Sequence, residues 1–526
     1  MSEVISFARS GEPIVSLDGI YLHSRYNPRL EADRYVDSLH IEERKETLIV
    51  LEPGLGYLCA SLNKKKPIAR ILVAHCSLFY KFEGRHSIKY QAADEWFPDG
   101  ILSFEKFLEQ NILDAEAEFV KIVEWKPAIG AYGKDVYLLA SIAASFLKRA
   151  SANARTIAQF GTKWFRNALF NASRISTELR IKVGTCPIAV VASGPSLEAN
   201  VEKLRSSKKR NSVFIVAVSS SVQALLSGGI RPDLIVATDG GGWALFHLQD
   251  AIREQIPLAI TFSAALPSSS YASPILTIRD YSQWQEIVGE VADLASFRSP
   301  QRGTVAATAI DLALSLTAGK VYLVGFDLGV RLGRTHARPN ALDRFQEDTA
   351  TRVSPSFSAA YERYLVARNG QSLRIYADWM SDHLSALASR IVILGSASNV
   401  FDSFSHSQSI EPDSGRKLVQ LEYVRRPSAN SQSSEQNLLT TLRSRIETEI
   451  AFFVQNERER IVLFKEGSAT GELFNLFYPS EFSHAVTKYR TREVPLQFVL
   501  NLDEKLHIAL TSFSLGARKH GSAFTL

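Results

Sequence analysis

The sequence predicts an α/β protein with a Rossmann-like central domain built on a parallel sheet, a smaller N-terminal α/β domain and a helical C-terminal domain. In residues 182–424, short unbroken apolar runs alternate with stretches of helical spacing, as in parallel strands covered by helices on both faces. Small or acidic residues follow four of these runs, where such sheets hold their ligand crevices. The predicted strands are 188–192, 213–218, 234–238 and 321–325, with 375–376 and 391–394 as further candidates, and the predicted helices include 222–226 and 305–316.

The N-terminal domain is predicted to span residues 1–134. The apolar run 47–52 predicts a buried strand, the turn at 53–56 leads into a helix, and the run 70–75 predicts the next strand. This order indicates a βαβ unit.

Three further segments complete the predicted organisation. Residues 135–181 are predicted to be a helical connector, because aromatic and apolar residues recur at helical spacing. They include Trp164, Phe165, Leu169 and Phe170. The polar stretch 425–436 predicts a linker, and residues 437–526 predict the helical C-terminal domain.

Composition excludes several classes of protein. The chain has 526 residues, a net charge of +5 and 45% hydrophobic residues, which is ordinary for a globular protein. No long basic run predicts nucleic-acid binding, and no apolar run approaches the roughly 18 residues of a membrane helix. The three cysteines lack metal-binding spacing and suit a reducing compartment. Because the sequence shows no signal-peptide pattern, we expect a cytoplasmic protein. We also expect that it binds neither nucleic acid nor membrane. The sequence leaves the oligomeric state open.

The loops after the four main strands predict an anion-binding crevice. Backbone N–H groups and small hydroxyls at a helix N-terminus suit a phosphate or a carboxylate. Each loop alone is also explained by turns and helix N-caps, whereas the four together favour a site. The candidate residues, in the order of the four loops, are Ser193, Gly194, Pro195 and Ser196, then Ser219 and Ser220, then Asp239, then Gly325 and Asp327. Gly303 and Thr304 precede the predicted helix 305–316. They would supply a further helix N-terminus to the crevice, or they form a simple N-cap.

His336 is the candidate general base, because it lies in a loop beyond the fourth strand. A solvated surface histidine is the alternative. Four arginines nearby are predicted to hold an anionic substrate or only to keep the surface polar. They are Arg331, Arg334, Arg338 and Arg344.

A separate loop, Glu52-Pro-Gly-Leu-Gly-Tyr57, resembles the strand-end loop with which methyltransferases bind S-adenosylmethionine. The next predicted strand ends in His75-Cys76-Ser77 and offers no clearly placed acidic residue for a ribose. A methyltransferase is therefore the weaker interpretation of this loop.

Several short motifs follow one another along the chain. In the central domain they are Ala192-Ser-Gly-Pro-Ser-Leu197, Gly229-Ile-Arg-Pro-Asp233 with Asp239, Gly303-Thr-Val305, Gly325-Phe-Asp327 and Thr335-His-Ala337. Further motifs are His23-Ser-Arg-Tyr-Asn-Pro28 with Glu31, Gly54-Leu-Gly-Tyr57, and Phe160-Gly-Thr-Lys-Trp164 with Asn167. In their order and spacing, over about residues 20–340, the chain resembles the motility-associated-factor (Maf) flagellin glycosyltransferases.

The central domain of that family is similar to bacterial sialyltransferases that use CMP-activated sugars. The resemblance implies transfer of a nonulosonic acid, of the pseudaminic or legionaminic type, from a CMP donor to Ser or Thr hydroxyls of flagellin, for flagellar assembly and motility. The donor is a substrate, and no other cofactor and no metal ligand is implied.

The resemblance also implies roles for the loop residues. Gly194, Pro195 and Ser196 would face the donor nucleotide and phosphate, and Ser219 and Ser220 the nucleotide. Gly303 and Thr304 would bind the donor's carboxylate, Asp327 would close the crevice floor, and His336 would be the base, with Asp327 or Asp239 as alternatives. Ser193, and Ser219 or Ser220, stand where the sialyltransferases carry Asn, which leaves the donor's identity open.

Two alternatives remain. The central domain also resembles the MptE-like pterin pyrophosphokinases, which implies ATP and Mg²⁺ held by carboxylates such as Asp233, Asp239 and Asp327. A non-catalytic flagellin-binding module is the other alternative. The large flanking segments favour the glycosyltransferase, since a small-molecule kinase has no evident use for them.

Overall fold

The computed structural model describes residues 3–39, 47–67, 69–83, 89–209, 212–300, 302–331, 334–369, 380, 384–395, 397–411, 417–426, 431–465, 467–489 and 493–516. The chain forms two compact units. The first unit comprises Met1–Gly161, Phe453–Lys465 and Leu473–Leu502, and the second comprises Thr162–Phe452, Glu466–Glu472 and Asp503–Leu526.

The first unit contains two sheets. The antiparallel sheet has the order β1 (Glu3–Phe7), β2 (Pro13–Leu17), β3 (Ile20–Tyr21). The parallel sheet contains β4 (Thr47–Leu51), β5 (Arg70–Ala74), β6 (Asp94–Trp96) and β7 (Val120–Glu124) in the order β6-β5-β4-β7. The helices in this part of the chain are α1 (Pro28–Ser38), α2 (Tyr57–Lys65), α3 (Phe79–Phe82), α4 (Phe104–Asn111) and α5 (Lys126–Tyr132). The predicted βαβ unit is confirmed as β4-α2-β5, and every residue of β4 is buried.

The second unit is built on one large sheet. Its strands are β8 (Thr177–Lys182), β9 (Ile188–Val191), β10 (Phe214–Val218), β11 (Leu234–Ala237), β12 (Leu258–Thr261), β13 (Ile275–Arg279), β14 (Ser296–Arg298), β15 (Val321–Val324), β16 (Ile391–Leu394), β17 (Ser405–Ser407) and β18 (Gln420–Arg425). Their order is β17-β16-β15-β9-β10-β11-β12-β13-β8-β18, and β14 also pairs with β13. The pairing is parallel except between β18 and β8.

The strand order reverses between β9 and β15. From β9 the chain continues outward through β10 to β13, and it then returns to add β15, β16 and β17 on the other side of β9. Both strands are buried along their whole length. In an open parallel sheet this reversal is the switch point, and the crevice outside the carboxyl ends of the two strands is the expected ligand site.

Further helices in the described residues follow in chain order. They are α6 (Lys134–Arg174), α7 (Leu197–Lys209), α8 (Val222–Ser227), α9 (Ala244–Arg253), α10 (Gln283–Val291), α11 (Val305–Leu316), α12 (Ala341–Asp348), α13 (Ser356–Asn369), α14 (Ser431–Gln455), α15 (Ala469–Phe477), α16 (Pro479–Tyr489) and α17 (Leu496–Gly516). None of the helices in the described ranges is both long enough and apolar enough to cross a membrane.

The predicted α/β fold is confirmed, and so are the four main strands, the strand 391–394 and the helix 305–316. The candidate strand 375–376 lies outside the described residues. Two expectations differ from the structure. Thr177–Lys182, at the end of the predicted helical connector, forms strand β8 because it pairs with β13 and β18. The second half of the predicted linker is helical, since α14 begins at Ser431.

Candidate functional site

The first and fourth loops are joined at the switch point. Gly194 N donates to Gly325 O over 2.9 Å. The backbone N–H and the hydroxyl of Ser196 both donate to Asp327 Oδ2, at 2.9 and 2.7 Å. A Cβ atom on Gly194 would lie 2.2 Å from Asp327 Oδ2 and 2.4 Å from Gly325 O, so only glycine fits between the loops.

These bonds correct one sequence-based expectation. The turn was expected to offer free backbone N–H groups, but Gly194 and Ser196 donate to the fourth loop, and Leu197 N donates to Gly194 O at 3.0 Å. Glu198 N likewise donates to Pro195 O at 3.3 Å. Ser196 is only 2% exposed. Asp327 therefore fixes the loop, which is compatible with its predicted place in the crevice floor.

The second loop supplies a hydroxyl that faces the first. Ser220 Oγ donates to Ser193 Oγ at 2.9 Å, and both residues are partly exposed. Because the Ser193 oxygen accepts this bond, the Ser193 hydrogen remains to be donated elsewhere. The neighbouring Ser221 hydroxyl contacts the Val191 and Val218 carbonyl oxygens, and Ser219 is buried. Ser193 and Ser220 are thus the hydroxyls that the two loops present at the sheet edge.

The third loop is held by the second-unit part of α6. Asp239 is exposed, and its Oδ1 accepts a hydrogen bond from Gly241 N at 2.7 Å. A Cβ atom on Gly240 would lie 2.4 Å from Trp164 Cδ1. Asn167 Nδ2 donates to the Ser263 carbonyl at 2.9 Å, beside the same turn. The aromatic and amide residues of the α6 motif therefore position the Asp239 loop.

The loop that contains His336 rests on the first loop. Ala337 N donates to Ser193 O at 2.7 Å, and Thr335 Oγ1 lies 2.9 Å from His336 Nδ1. His336 itself is partly buried. This contact brings the predicted base to the same edge of the sheet as the two hydroxyls.

Three of the nearby arginines are paired within the protein. Arg334 lies 2.9 Å from Glu198 Oε1, and Arg338 lies 3.1 Å from Asp343 Oδ2. Arg331 lies 3.9 Å from Asp327 Oδ1. These ion pairs reduce the positive charge that the loop offers to an anionic substrate.

Gly303 and Thr304 also lie at this edge. Thr304 is the N-cap of α11, and its hydroxyl accepts from Ala307 N at 3.2 Å. The far end of α11 reaches the amino ends of the strands, where Thr317 Oγ1 donates to Cys186 O at 2.6 Å. A helix of 12 residues spans about 18 Å, so its N-terminus lies at the carboxyl edge.

Sequence reasoning missed His247. This residue lies in the first turn of α9, directly after the third loop, and is partly buried. Its pKa is lowered from 6.5 to about 4, mainly by burial and in part by the charge of His336, while the charge of Asp239 opposes the shift. The one feature of the sequence that pointed to His247 is its position in the helix that follows Asp239.

Asp233 lies at the opposite edge of the sheet from Asp239 and Asp327. It precedes β11, its Oδ2 accepts from Ile215 N at 2.7 Å, and its Oδ1 pairs with Lys208. A residue that precedes a parallel strand lies at the edge of the sheet where the strands begin, whereas Asp239 and Asp327 follow their strands and lie at the carboxyl edge. The three aspartates considered as Mg²⁺ ligands therefore do not converge on one site. Across the described ranges, no group of three or more His, Cys, Asp or Glu side chains is arranged to hold a metal.

The glycine loop of the first unit is filled by the protein's own rings. A Cβ atom on Gly54 would lie 2.5 Å from His23 Nε2, and one on Gly56 would lie 2.3 Å from the Tyr90 ring. Leu55 N donates to His23 Nε2 at 2.9 Å. The glycines thus admit side chains of this chain, which argues against a methyltransferase cofactor loop.

Comparison with known proteins supports the fold. The family model described as 6-hydroxymethylpterin diphosphokinase MptE-like matches residues 162–332. The structure of a Maf glycosyltransferase from Magnetospirillum magneticum AMB-1 has a TM-score of 0.50 with this chain, at 12% identity, and the match covers 98% of this chain and 87% of that one. At this identity the structural likeness concerns the fold. The family model agrees with the MptE-like resemblance drawn from the sequence, and the structural likeness agrees with the Maf resemblance.

Curated relatives come from Treponema pallidum (strain Nichols), and each is described only as an uncharacterized protein. One is 27% identical over 278 residues, which are 53% of this chain and 60% of the relative. A second is 30% identical over 104 residues, or 19% of this chain and 49% of the relative. The chain thus matches between half and three fifths of the length of these two proteins.

Proposed function

We propose that this protein is a glycosyltransferase that moves a nonulosonic acid from a CMP donor to Ser or Thr hydroxyls of flagellin. The observation that carries the proposal is the switch-point crevice, where the Ser193–Ser220 hydroxyl pair and the His336 loop meet. The proposal is also supported by comparison with a solved structure: the fold of a Maf glycosyltransferase matches this chain along nearly its whole length.

The proposed reaction is a substitution at the anomeric carbon. The acceptor oxygen forms the new bond to that carbon, the bond to the phosphate oxygen breaks, and its electron pair leaves with CMP. The transition state gains positive charge on the sugar and negative charge on the phosphate. Donated hydrogen bonds at the phosphate stabilise that state. Ser193, whose oxygen accepts the hydrogen of Ser220 and whose own hydrogen is left to donate, is the proposed donor there, rather than the backbone of the first loop.

A base must take the proton of the acceptor hydroxyl. His336 is the proposed base, because the bond from Ala337 N to Ser193 O holds its loop beside the hydroxyl pair. Asp239 is the alternative, since it is exposed at the same edge. Asp327 is less suited to this role, because its Oδ2 already accepts two hydrogen bonds from Ser196.

The test is the intact mass of flagellin coexpressed with this protein and a nonulosonic-acid pathway. The wild-type chain should add the mass of the sugar, and His336→Ala should lower the modified fraction at least about 100-fold. CMP binding, measured by calorimetry, should stay within a few-fold in that variant. His507→Ala, on a helix remote in sequence, is the control. Full activity of His336→Ala would remove His336 from the mechanism, and unmodified flagellin with the wild-type chain would refute the proposed function.

An MptE-like pyrophosphokinase is the second candidate, favoured by the family model that matches residues 162–332. The position of Asp233 at the amino edge counts against a shared carboxylate site for Mg²⁺. Calorimetry separates the candidates: ATP binding that requires Mg²⁺ supports the kinase, and CMP binding supports the glycosyltransferase. Binding of neither nucleotide at millimolar concentration supports a non-catalytic flagellin-binding module.

A further inference from the structure

The first strand of the antiparallel sheet presents an apolar edge. In the order β1-β2-β3, β1 is the edge strand, and its described pairing is with β2. Val4, Ile5 and Phe7 of this strand are 55%, 40% and 73% exposed. Proteins commonly protect such edges with prolines, bulges or charges, because an exposed apolar edge strand pairs readily with another chain. β1 contains no proline, and its one charged residue, Glu3, stands at its beginning.

The hydrogen bonds of the sheet show which backbone groups of β1 face the open edge. Val15 lies opposite Ile5, and its carbonyl oxygen accepts from Leu22 N at 2.9 Å, on the side of β3. Ile5 and Val15 are therefore a pair that exchanges no backbone hydrogen bonds, and the N–H and C=O of Ile5 point away from β2. Since this direction alternates along a strand, the backbone groups of Glu3 and Phe7 point to the open edge as well.

The two ends of this edge carry opposite charges. Glu3 begins the strand, and its Oε1 accepts from Tyr132 OH at 3.1 Å. Arg9 follows the strand and is exposed; its N donates to Arg25 O at 2.9 Å. The Arg9 guanidinium carbon lies 4.7 Å from the centroid of the Tyr26 ring. These contacts hold an acid at one end of the edge and a base at the other.

We propose that β1 pairs with β1 of a second copy of this chain, antiparallel and about a two-fold axis at Ser6. With this axis, Ile5 lies opposite Phe7 of the second copy, and Phe7 lies opposite Ile5 of the second copy. Because all these residues direct their backbone groups to the open edge, each pair exchanges two hydrogen bonds. The two three-stranded sheets then become one continuous sheet.

Charge complementarity favours a second copy over a different protein. An antiparallel copy of the strand brings Arg9 of one chain next to Glu3 of the other, and the two-fold axis makes this contact twice. The same axis sets the exposed Ile5 and Phe7 side chains against each other on one face, which removes them from water. An axis at Ile5 would instead set the Glu3 carboxylate opposite the Phe7 ring. The inference does not depend on the proposed glycosyl transfer.

Sedimentation velocity of the full chain, over a series of concentrations, tests the pairing. The wild-type chain should form a dimer, and Ile5→Lys should raise the Kd of that dimer at least about 100-fold, because a charge on an edge strand opposes pairing. Ile101→Lys is the matched control, since Ile101 is 83% exposed in the same unit, and should leave the Kd unchanged. A wild-type chain that remains monomeric at about 100 μM, or a dimer that Ile5→Lys leaves intact, would overturn the proposal.

A charge exchange tests the position of the axis. Glu3→Arg and Arg9→Glu each bring like charges together at two symmetric places, and each should raise the Kd about 10-fold. The double variant restores opposite charges and should bring the Kd back to within a few-fold of the wild-type value. Additive losses in the double variant would refute the axis at Ser6, with circular dichroism to confirm that each variant is folded.

Hydrogen–deuterium exchange locates the contact independently. Peptides that cover Glu3–Phe7 should exchange more slowly as the wild-type concentration rises, because the outward N–H groups become hydrogen-bonded. The same peptides of Ile5→Lys should exchange at a rate that does not depend on concentration. A wild-type dimer whose β1 peptides show no added protection would place the interface elsewhere and contradict the proposal.

Discussion

Raising the pH from 6.5 to 9 should weaken the parallel sheet of the first unit, because a buried histidine loses its proton there. His75 follows β5 and is only 1% exposed. Its Nδ1 lies 3.5 Å from Glu52 Oε1, and its Nε2 lies 3.8 Å from Glu95 Oε2. The ring also stacks between Tyr80 and Phe97, at centroid distances of 5.2 and 4.8 Å.

The size of this loss in unfolding free energy follows from the pKa of His75. Burial lowers this pKa, but the carboxylates of Glu52 and Glu95 beside the ring more than offset burial and raise it from 6.5 to about 9. The folded chain therefore binds the proton more tightly than the unfolded chain. The stabilisation is complete below pH 6.5 and is lost as the pH rises through about 9. At about 1.4 kcal/mol per pH unit, the loss is about 3 kcal/mol.

Hydrogen–deuterium exchange of the full chain is the assay, with rates corrected for the intrinsic pH dependence. Peptides that cover Thr47–Leu51 and Arg70–Ala74 should show an opening free energy about 3 kcal/mol smaller above pH 9 than at pH 6. His75→Gln should flatten this dependence, and His507→Gln, in the second unit, should leave it unchanged. A wild-type opening free energy that does not fall between pH 6.5 and 9 would refute a charged His75.

Two substitutions should destabilise the fold at identified hydrogen bonds. Asp327→Asn should lower the thermal stability of the second unit by about 1–3 kcal/mol, because the Ser196 donors lose a charged acceptor; equal melting temperatures for the two proteins would contradict this. Arg460 is 6% exposed and donates to three main-chain carbonyl oxygens at 2.9 to 3.2 Å. Arg460→Met should cost about 2–3 kcal/mol in urea denaturation of the first unit by leaving those oxygens unsatisfied, and an unchanged urea midpoint would contradict it.

The central strands were predictable because they are buried on both faces. Ile188–Val191, Phe214–Val218 and Val321–Val324 are apolar throughout, and all their residues are buried. The outer strands carry no such signal. In Gln420–Arg425 the residues are partly or fully exposed, and the strand exists because it pairs with β8 along its whole length. Its sequence alone therefore resembles a polar loop.

The strand-end residues of the site were also predictable, but their bonding partners were not. Ser196 and Asp327 are 131 residues apart in sequence, and their contact depends on the order of strands in the sheet. The same contact uses the Ser196 backbone N–H, which the local pattern assigned to a ligand.

The side chains at the carboxyl edge favour glycosyl transfer over phosphoryl transfer from Mg²⁺-bound ATP. Phosphoryl transfer needs metal-bridging carboxylates, whereas Asp327 is bonded to Ser196, Asp239 Oδ1 accepts from Gly241 N, and Asp233 lies at the other edge. What the crevice does offer is a hydroxyl pair, Ser193 and Ser220, beside the loop that carries His336. A hydroxyl donor such as that of Ser193 suits a departing phosphate, and an imidazole nitrogen suits removal of a proton from an alcohol. Those are the two requirements of transfer from a CMP-sugar to a protein hydroxyl.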